Sequence, residues 1–506
     1  MRIPLVKPDT CITKPSGAKS KRALRAIGTT IDTMNHSLAT SITSLSSSET
    51  ALLIRKKELS PVEVVHAYVE RISRVEPMLH AFASLPLDQV LAEARRAETA
   101  IMLNDEVAPL LGVPITVKSC IDVAGLPCAA GSRLRRGCIA REDATIVARL
   151  RRAGAIILGT TSTPEMLMAY HTENDISGRT NNPWKLDRSA GGSSGGEAAA
   201  IAAGMSAGGI GSDGGGSIRV PAHFCGICGL KPTPGVIPAT GHYPPGYGPF
   251  AFTGVLGPMA RTVADLRLLL NIMSGYDRGD PASSSAPLES MSVDEAKALQ
   301  VGYYDDDGYS PVTPEVRAAI QISATILADA GFVLQPFRPG ELDKARELWA
   351  NIFVDAGASL VRAAIKGREQ EVSDGLKDFL NFAAGRPPLT ADLLLNTLIE
   401  RDQLRIGMSA AMEQFPILLA PVCSVAAFKH EDAGWGESHA ADYQRTMSYC
   451  QHYNLLGNPA VVVPVAQSPE GLPIGVQVIG RPYRENEILA VAEILQSACG
   501  RKEPHL

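Results

Sequence analysis

The chain has 506 residues, of which 45% are hydrophobic and 20% are charged, a composition typical of a globular protein with a large core. Its net charge of −5 provides no overall basic field, which excludes general nucleic-acid binding. No run of 18 consecutive apolar residues occurs, so the sequence predicts no membrane span. The nine cysteines, an odd number scattered along the chain, indicate free thiols in a reducing compartment, and we expect a cytoplasmic protein.

The first residues of the chain are strongly basic. Seven Lys or Arg and one Asp occur in residues 1–25, without the apolar run that a secretory signal needs. We interpret residues 1–40 as a disordered basic tail, or in part as sequence upstream of a start near Met34.

The first clear helix signal follows this tail. Ser60 precedes Pro61, and Glu63 stands at the third helical position, which is the pattern of a capped helix N-terminus. Farther along, short apolar runs predict strands that are buried on both faces, at 113–117, 155–158, 417–420, 460–465 and 475–479.

Helical patterns lie between these predicted strands, which favours an α/β fold. We therefore predict a single large α/β/α layered domain over residues 41–500, with a central β-sheet flanked by helices. Residues 285–410 are predicted to be a more variable, mainly helical region on the substrate side.

Residues 189–217 contain 11 glycines and six serines among 29 residues. The segment EAAAIAAGM at 197–205 has strong helix formers, so the order is a Gly/Ser loop, a tight helix and a second Gly/Ser loop. A flexible linker would be polar throughout. Two such loops can instead point backbone N–H groups at one spot, as a developing oxyanion requires.

Two common motifs also match this stretch. Residues 192–196 fit the GxSxG nucleophile elbow, but none of the ten histidines stands in a recognisable partner motif. Residues 209–214 fit GxGxxG, but a proline follows at 221 and no Rossmann strand ending in an acid comes after it. We favour neither a Ser-His-Asp triad nor a dinucleotide site.

A third interpretation joins three segments. The apolar run GVPITVK ends in Lys118, which is unusual because a buried ammonium is costly unless it is paired or neutral. With GGSSGG at 191–196 and GSDGGGSIRVPA at 211–222, it resembles the amidase signature family. NPW at 182–184, CGICGLKPTPG at 225–235 and GLPIGVQVIGRPYRE at 471–485 are also similar to that family. The likeness covers residues 46–275 and 415–498.

The resemblance implies a Ser–Ser–Lys triad on an α/β/α fold with a central mixed β-sheet. Ser217 is then the nucleophile, Ser193 the bridging serine after a cis Gly192–Ser193 bond, and Lys118 the terminal base. The backbone N–H groups of Gly214, Gly215, Gly216 and Ser217 are expected to form the oxyanion hole. Burial can lower a lysine pKa by about 3–5 units, so a neutral Lys118 can accept the proton of Ser217 through Ser193.

Several neighbours receive supporting or structural roles. We expect Ser194 to support the network, and Asp213 and Arg219 to pair and brace the loop. His223 is interpreted as structural, and the CxxC at 225–228 as buried cysteines without a redox or zinc role. The aromatic segment 241–252 either lines the substrate pocket or packs as a surface loop, and the same two interpretations apply to Trp349, Phe353 and Phe379.

The predicted function is hydrolysis of an amide or related C–N bond, which includes primary amides, anilides, fatty-acid amides and, as a urethanase, carbamates. No metal or cofactor is expected, and the expected partner is a small-molecule substrate, with a homodimer left open. Two alternatives remain at this point. One is a glutaminase-type subunit of an amidotransferase complex, and the other is a non-catalytic binding protein on the same fold.

Overall fold

The computed structural model describes residues 41–103, 108–436 and 440–506, and a large mixed sheet runs through them. The predicted tail 1–40 lies outside the described residues. The described strands are β1 (Phe82–Ser84), β2 (Pro114–Lys118), β3 (Ile156–Thr161), β4 (Glu173–Asn174), β5 (Gly178–Arg179), β6 (Gly208–Asp213), β7 (Cys228–Lys231), β8 (Val255–Ala260), β9 (Val301–Tyr303), β10 (Leu334–Pro336), β11 (Ile417–Pro421), β12 (Ala460–Gln467) and β13 (Pro473–Gly480).

Eleven of these strands form one sheet in the order β1-β3-β2-β6-β8-β7-β12-β13-β11-β9-β10, while β4 and β5 form a separate ribbon. The pairs β3/β2, β2/β6, β11/β9 and β9/β10 are parallel, and the other neighbours are antiparallel. All five apolar runs that predicted buried strands lie within or overlap strands of this sheet, which confirms the predicted mixed sheet.

Helices occupy most of the remaining described chain. Their bounds are α1 (Ser47–Arg55), α2 (Pro61–Leu79), α3 (Leu87–Met102), α4 (Thr145–Arg152), α5 (Gly195–Ala202), α6 (Arg219–Cys225), α7 (Val263–Met273), α8 (Val293–Ala296), α9 (Pro314–Asp329), α10 (Leu342–Ala350), α11 (Gly357–Ile365), α12 (Asp374–Ala384), α13 (Ala391–Gln414), α14 (Ala440–Thr446), α15 (Ser448–Leu456) and α16 (Glu485–Cys499). A π-helical stretch, Asn351–Ala356, joins α10 to α11.

The sheet is covered by two groups of helices. Helices α7 and α9 each contact α16; α7 also contacts β8, and both α9 and α16 contact β12 and β13. Helices α5 and α6 contact each other, α5 covers β6 and the strands on either side of it, and α6 covers β7, β12 and β13. Every residue of β13 is buried, as expected for a strand that is covered on both faces. The layered α/β architecture predicted from the sequence is therefore present.

The strand register brings the predicted base to the Gly/Ser loops. Strand β2 pairs in parallel with β6, with Thr116 opposite Gly209 and Val117 opposite Ile210. Lys118 and Asp213, the last residues of the two strands, therefore lie at the same edge of the sheet. In open α/β sheets, ligand sites form at the carboxyl ends of parallel strands.

Residues 285–410 contain helices α8 to α13 and also two short strands. Strands β9 and β10 extend the sheet beyond β11 at its edge. The sequence analysis did not single out these strands, because each has only three residues and lies within a segment of mainly helical pattern.

One helical segment of the described chain is long and apolar enough to cross a membrane by composition alone. It is Leu342–Ile365, with 24 residues and a mean hydropathy of 1.3 in its most apolar window. Of that window, 67% is buried within the fold, which is the environment of a core helix.

The start of α1 is held by one buried carboxylate, and its removal should destabilise the fold. Asp265, fully buried at the start of α7, accepts hydrogen bonds from Ser47 N at 3.0 Å, Ser48 N at 2.8 Å and Ser48 Oγ at 2.7 Å. We expect Asp265→Ala to cost about 3 kcal/mol, because it leaves buried donors unpaired. Thermal unfolding should show a lower Tm, while Asp329→Ala, at an exposed position at the end of α9, should melt like the wild type. Equal melting of both variants would refute this role of Asp265.

Candidate active site

Lys118 and Ser193 form the centre of the site. Lys118 ends β2 with its side chain fully buried, and its Nζ lies 2.7 Å from Ser193 Oγ. Ser193 follows the cis Gly192–Ser193 bond that the family resemblance implies, and its carbonyl accepts from Thr163 Oγ1 at 2.8 Å. Burial lowers the pKa of Lys118 from 10.5 to about 8, so a neutral amine is accessible near neutral pH.

Ser217 lies nearer to solvent on the wall of the same cleft as Ser193. The exposed fraction is 7% for Ser217, 1% for Ser193 and zero for Lys118, so the three residues run inward from the cleft. The backbone N–H of Ser194 donates to Ser217 O at 3.1 Å and joins the two Gly/Ser loops. The three residues singled out by the sequence analysis are therefore gathered at one place.

Two groups near Lys118 were not found from the sequence. Ser212 Oγ lies 3.0 Å from Lys118 Nζ, and it follows three glycines and an isoleucine in β6. Glu197 is fully buried and accepts from Thr161 Oγ1 at 2.6 Å and from Thr116 Oγ1, and burial raises its pKa to about 7. The single acid in the small, apolar segment EAAAIAAGM was the available signal for Glu197.

Ser194, for which a supporting role is predicted, contacts the end of β6 through its hydroxyl. Its Oγ lies 3.3 Å from Ser212 O and accepts from Ser212 N at 3.4 Å, which fixes the end of β6 against the start of α5. This position places Ser194 behind the site, while Ser193 faces the cleft.

Asp213 and Arg219 form a buried ion pair that shapes the loop between them. Arg219 Nε lies 3.0 Å from Asp213 Oδ2, and neither side chain is exposed. Burial alone would raise the pKa of Asp213, but the Arg219 guanidinium overrides it and holds that pKa well below its usual range. The same carboxylate accepts from Asn454 Nδ2 at 2.9 Å and from Ile218 N at 3.1 Å. The expected pairing is present.

Gly216 differs from the sequence prediction. Its N–H donates to Asp213 Oδ1 at 2.7 Å, so this amide is already paired and does not point to a substrate. The N–H groups of Gly214, Gly215 and Ser217 have no hydrogen-bond partner within the described chain, so they remain the candidate donors. The φ of +122° at Gly216 explains the need for glycine there, because L side chains rarely adopt that conformation.

Aromatic packing explains the small residues at 214 and 215. A Cβ on Gly214 would stand 2.6 Å from Phe353 Cε2, and one on Gly215 would stand 2.5 Å from Trp349 Cζ2. Trp349 Nε1 also donates to Gly214 O at 2.8 Å. Side chains in this loop would therefore collide with the protein itself, in addition to any obstruction of a substrate.

A cleft opens onto the two serines, and its walls away from them are largely apolar. The predicted aromatic segment 241–252 does line this cleft. The apolar walls are formed by Leu167, Met168, Ala239, Pro244, Phe250, Val255, Leu256 and Phe353.

Trp349, Phe353 and Phe379 are each expected from the sequence either to line the substrate pocket or to pack within the fold. Phe353 lines the cleft. Trp349 is fully buried and stacks on Phe353 at a ring-centroid distance of 4.9 Å, so it supports the wall from behind. Phe379 is also fully buried and packs against Trp435 at 5.5 Å.

His223 and the CxxC cysteines have structural surroundings. His223 is buried, with Nε2 3.0 Å from Val425 O and Nδ1 2.8 Å from the N–H of Gly475. Cys225 and Cys228 are free and buried, and burial raises the pKa of both thiols. Within the described residues, no group of three or more His, Cys, Asp or Glu side chains is placed to hold a metal ion.

Comparison with known proteins agrees with this geometry. The family model named Amidase matches residues 63–489. The chain belongs to the amidase signature family. It is 34% identical to an acylamidase of Rhodococcus erythropolis over 455 residues, which cover 88% of this chain and 94% of that protein. The same family fold is seen in a solved structure of fatty acid amide hydrolase, with a TM-score of 0.83, 26% identity, and coverage of 98% of this chain and 93% of that chain.

A relative with a different named role is almost equally similar. The chain is 32% identical to a glutamyl-tRNA(Gln) amidotransferase subunit of Methylacidiphilum infernorum (isolate V4), over 91% of this chain and 95% of that protein. The family match identifies the chain as an enzyme, a hydrolase that acts on amide C–N bonds. A non-catalytic protein on the same fold, the other alternative from the sequence, is thereby set aside.

Loss of the buried ion pair between Asp213 and Arg219 should lower both the free energy of unfolding and kcat. Asp213→Asn leaves the Arg219 guanidinium buried without a charged partner, at a cost of about 3–5 kcal/mol. Because Asp213 also sets the position of the Gly216 amide, we expect kcat on an amide substrate to fall about 10²-fold. Thermal unfolding and steady-state kinetics test both effects. Asp374→Asn, which removes an exposed ion pair with Lys377, is the control, and a matching Tm for the two variants would contradict the role of Asp213.

Proposed function

We propose that the chain hydrolyses amides or carbamates of small apolar molecules through an acyl-enzyme on Ser217. The observation that carries this proposal is the contact between the buried Lys118 amine and Ser193 Oγ, beside an apolar cleft lined by both Ser193 and Ser217. A serine hydroxyl is a weak nucleophile until a base removes its proton, and the neutral amine of Lys118 is such a base.

The first half of the proposed reaction forms the acyl-enzyme. Ser217 Oγ attacks the substrate carbonyl while its proton passes to Ser193, and the proton of Ser193 passes to Lys118 Nζ. The C–N bond then breaks, and the same chain returns a proton to the leaving amine. The second half uses water, whose proton passes to Lys118 by the same route as its oxygen attacks the acyl-enzyme. The bond between the acyl carbon and Ser217 Oγ then breaks, the proton returns to Ser217 Oγ, and the acid is released.

Backbone amides supply the proposed stabilisation of the oxyanion. Gly214, Gly215 and Ser217 have N–H groups without protein partners in the described chain, and they belong to the segment that carries the nucleophile. Donors held in place before the reaction need no reorganisation when negative charge develops. The buried pair Asp213–Arg219 and the indole of Trp349 hold this segment in position.

The cleft favours an apolar or aromatic group on the substrate. Its walls away from the serines are mainly aliphatic and aromatic side chains, and Asp213 is neutralised by Arg219. Burial of apolar surface contributes about 25 cal/mol per Å², so such a wall selects apolar groups over charged ones. Anilides, arylalkyl amides and aryl carbamates fit this chemistry, and the similarity to an acylamidase is consistent with it.

The second candidate is a glutaminase-type subunit of an amidotransferase complex. The similarity to the glutamyl-tRNA(Gln) amidotransferase protein supports it, at nearly the same identity as the acylamidase. This candidate uses the same triad but passes the released ammonia to a partner protein. It predicts slow turnover of simple amides by the purified chain, and glutamine turnover only with a partner. The apolar walls favour the first candidate, because glutamine carries both an ammonium and a carboxylate.

Replacement of Ser217 and Lys118 tests their proposed roles as nucleophile and base. We expect Ser217→Ala to abolish cleavage of a panel of aliphatic amides, anilides, arylalkyl amides and carbamates, because no nucleophile remains. It should also abolish labelling by a fluorophosphonate. Lys118→Ala should lower kcat by about 10²–10⁴-fold, the range for loss of a general base. Mass spectrometry of the products measures both effects.

Three outcomes decide between the candidates. Cleavage by the wild type that is lost in Ser217→Ala supports the acyl-enzyme. Full activity of Ser217→Ala would refute it. Absence of cleavage across the panel, with glutamine hydrolysed beside a partner, would favour the amidotransferase role.

The pH dependence should report the titration of Lys118. Its pKa lies near 8, and only the neutral amine accepts a proton, so kcat/KM should rise up to tenfold per pH unit below pH 8 and level off above it. Initial rates from pH 6 to 10 measure this curve. Glu197→Gln removes a carboxylate that favours the charged amine, so its curve should shift to lower pH. A wild-type rate that falls as pH rises toward 8 would contradict the role of Lys118 as base.

A further inference from the structure

His242 is a partly buried polar residue of the cleft that the proposed mechanism does not use. Its imidazole lines the cleft together with the two serines and the apolar wall. Its Nδ1 lies 2.7 Å from Pro244 O, while the buried Nε2 atom has no hydrogen-bond partner among the residues that the structure describes. A buried polar atom without a partner is uncommon and costly, and at a binding cleft it indicates a ligand.

The backbone around His242 is fixed to the segment that follows the base. Tyr243 N donates to Cys120 O at 2.8 Å, Asp122 N donates to Gly241 O at 2.8 Å, and Ile121 pairs with His242 in an isolated bridge. The imidazole therefore has a fixed position relative to Lys118, as a residue that selects substrates requires.

The hydrogen bond to Pro244 determines whether the Nε2 atom of His242 is a hydrogen-bond donor or acceptor. A carbonyl oxygen only accepts hydrogen bonds, so Nδ1 carries the proton in that contact. Burial lowers the pKa of His242 to about 4, so the ring is neutral at ordinary pH. A neutral imidazole has one protonated nitrogen, and Nε2 is therefore an acceptor with an unused lone pair.

Two other acceptors on the cleft wall, the Asp213 carboxylate and Gly214 O, are already engaged. The Asp213 carboxylate accepts from Gly216, Ile218, Arg219 and Asn454, and Gly214 O accepts from Trp349. Away from the serines, the wall is aliphatic and aromatic. His242 thus places one acceptor in an apolar environment, where a hydrogen bond discriminates strongly between substrates with and without a donor.

We propose that His242 Nε2 accepts a hydrogen bond from an N–H or O–H on the apolar part of the substrate. The preferred substrates are then aryl or heteroaryl amides and carbamates that carry one donor away from the scissile bond. This inference rests on the proposed function for its kinetic readout, and it adds a specificity-determining residue to that site.

Matched substrate pairs test the inference. Each pair consists of a substrate with a donor and its methylated analogue: indole-3-acetamide with 1-methylindole-3-acetamide, and 3- or 4-hydroxyphenylacetamide with the methoxy compounds. In the wild type, kcat/KM should favour the donor-bearing member of at least one pair by about tenfold, mainly through KM. In His242→Phe, which keeps a ring without the acceptor, that ratio should fall toward one.

Two further variants test whether the substrate preference depends on a hydrogen-bond acceptor at position 242. His242→Gln retains an acceptor oxygen and should keep part of the preference. His430→Phe makes the same chemical change at a partly exposed histidine outside the cleft and should keep the full wild-type ratio. A ratio near one in the wild type for every pair, or an unchanged ratio in His242→Phe, would overturn the proposal.

A binding measurement separates this proposal from the proposed function. Calorimetric titration of Ser217→Ala with the same pairs should show the donor preference as a ratio of Kd values, without any turnover. If no substrate is cleaved but this ratio is about tenfold, the hydrolytic proposal fails while the role of His242 stands. If substrates are cleaved but the Kd ratios are near one, the role of His242 fails. Should His242→Phe not fold, the wild-type and Ser217→Ala ratios still decide.

Discussion

The exclusion of water from the Lys118 amine is the constraint on which the rest of the site depends. An ammonium at this position loses its hydration, and burial lowers its pKa to about 8, so the group becomes a usable base. Strand β2 places the amine at the sheet edge. Ser212, which belongs to the neighbouring parallel strand β6, contacts the amine through its hydroxyl. The cost of desolvation is partly offset by the Ser193 and Ser212 hydroxyls and by the nearby carboxylates of Asp213 and Glu197.

The glycine-rich segment after β6 is shaped by a second buried charge pair. Asp213 accepts from Arg219 and from the amides of Gly216 and Ile218, which fixes the turn that precedes α6. Trp349 and Phe353 pack against the same turn from the helical region of the chain. The segment is therefore rigid despite its composition. Its glycines are required by close packing and by the backbone conformation at Gly216, and rigidity is what an oxyanion site needs.

The cleft combines elements that lie far apart in the sequence. The segment 241–252 and the π-helical stretch Asn351–Ala356 contribute to its apolar walls, while the two Gly/Ser loops carry Ser193 and Ser217. The relatives of the chain carry different names, an acylamidase and an amidotransferase subunit. On this view, His242 and Phe353 determine which molecule enters, and Ser217, Ser193 and Lys118 determine what happens to it.

The sequence by itself determined the layered α/β architecture and five of the buried strands, because apolar runs are local signals. The mixed sheet and the three residues of the proposed triad followed from the resemblance of its motifs to the amidase signature family. The pairing of Asp213 with Arg219, six residues apart, was also predictable from the sequence. Only the tertiary structure decided that the Gly216 amide binds Asp213, that Trp349 supports the loop while Phe353 lines the cleft, and that β9 and β10 extend the sheet. It alone revealed the unpaired Nε2 of His242. These features depend on contacts between distant segments, and neither periodicity nor spacing records which side chain meets which when the segments pack together.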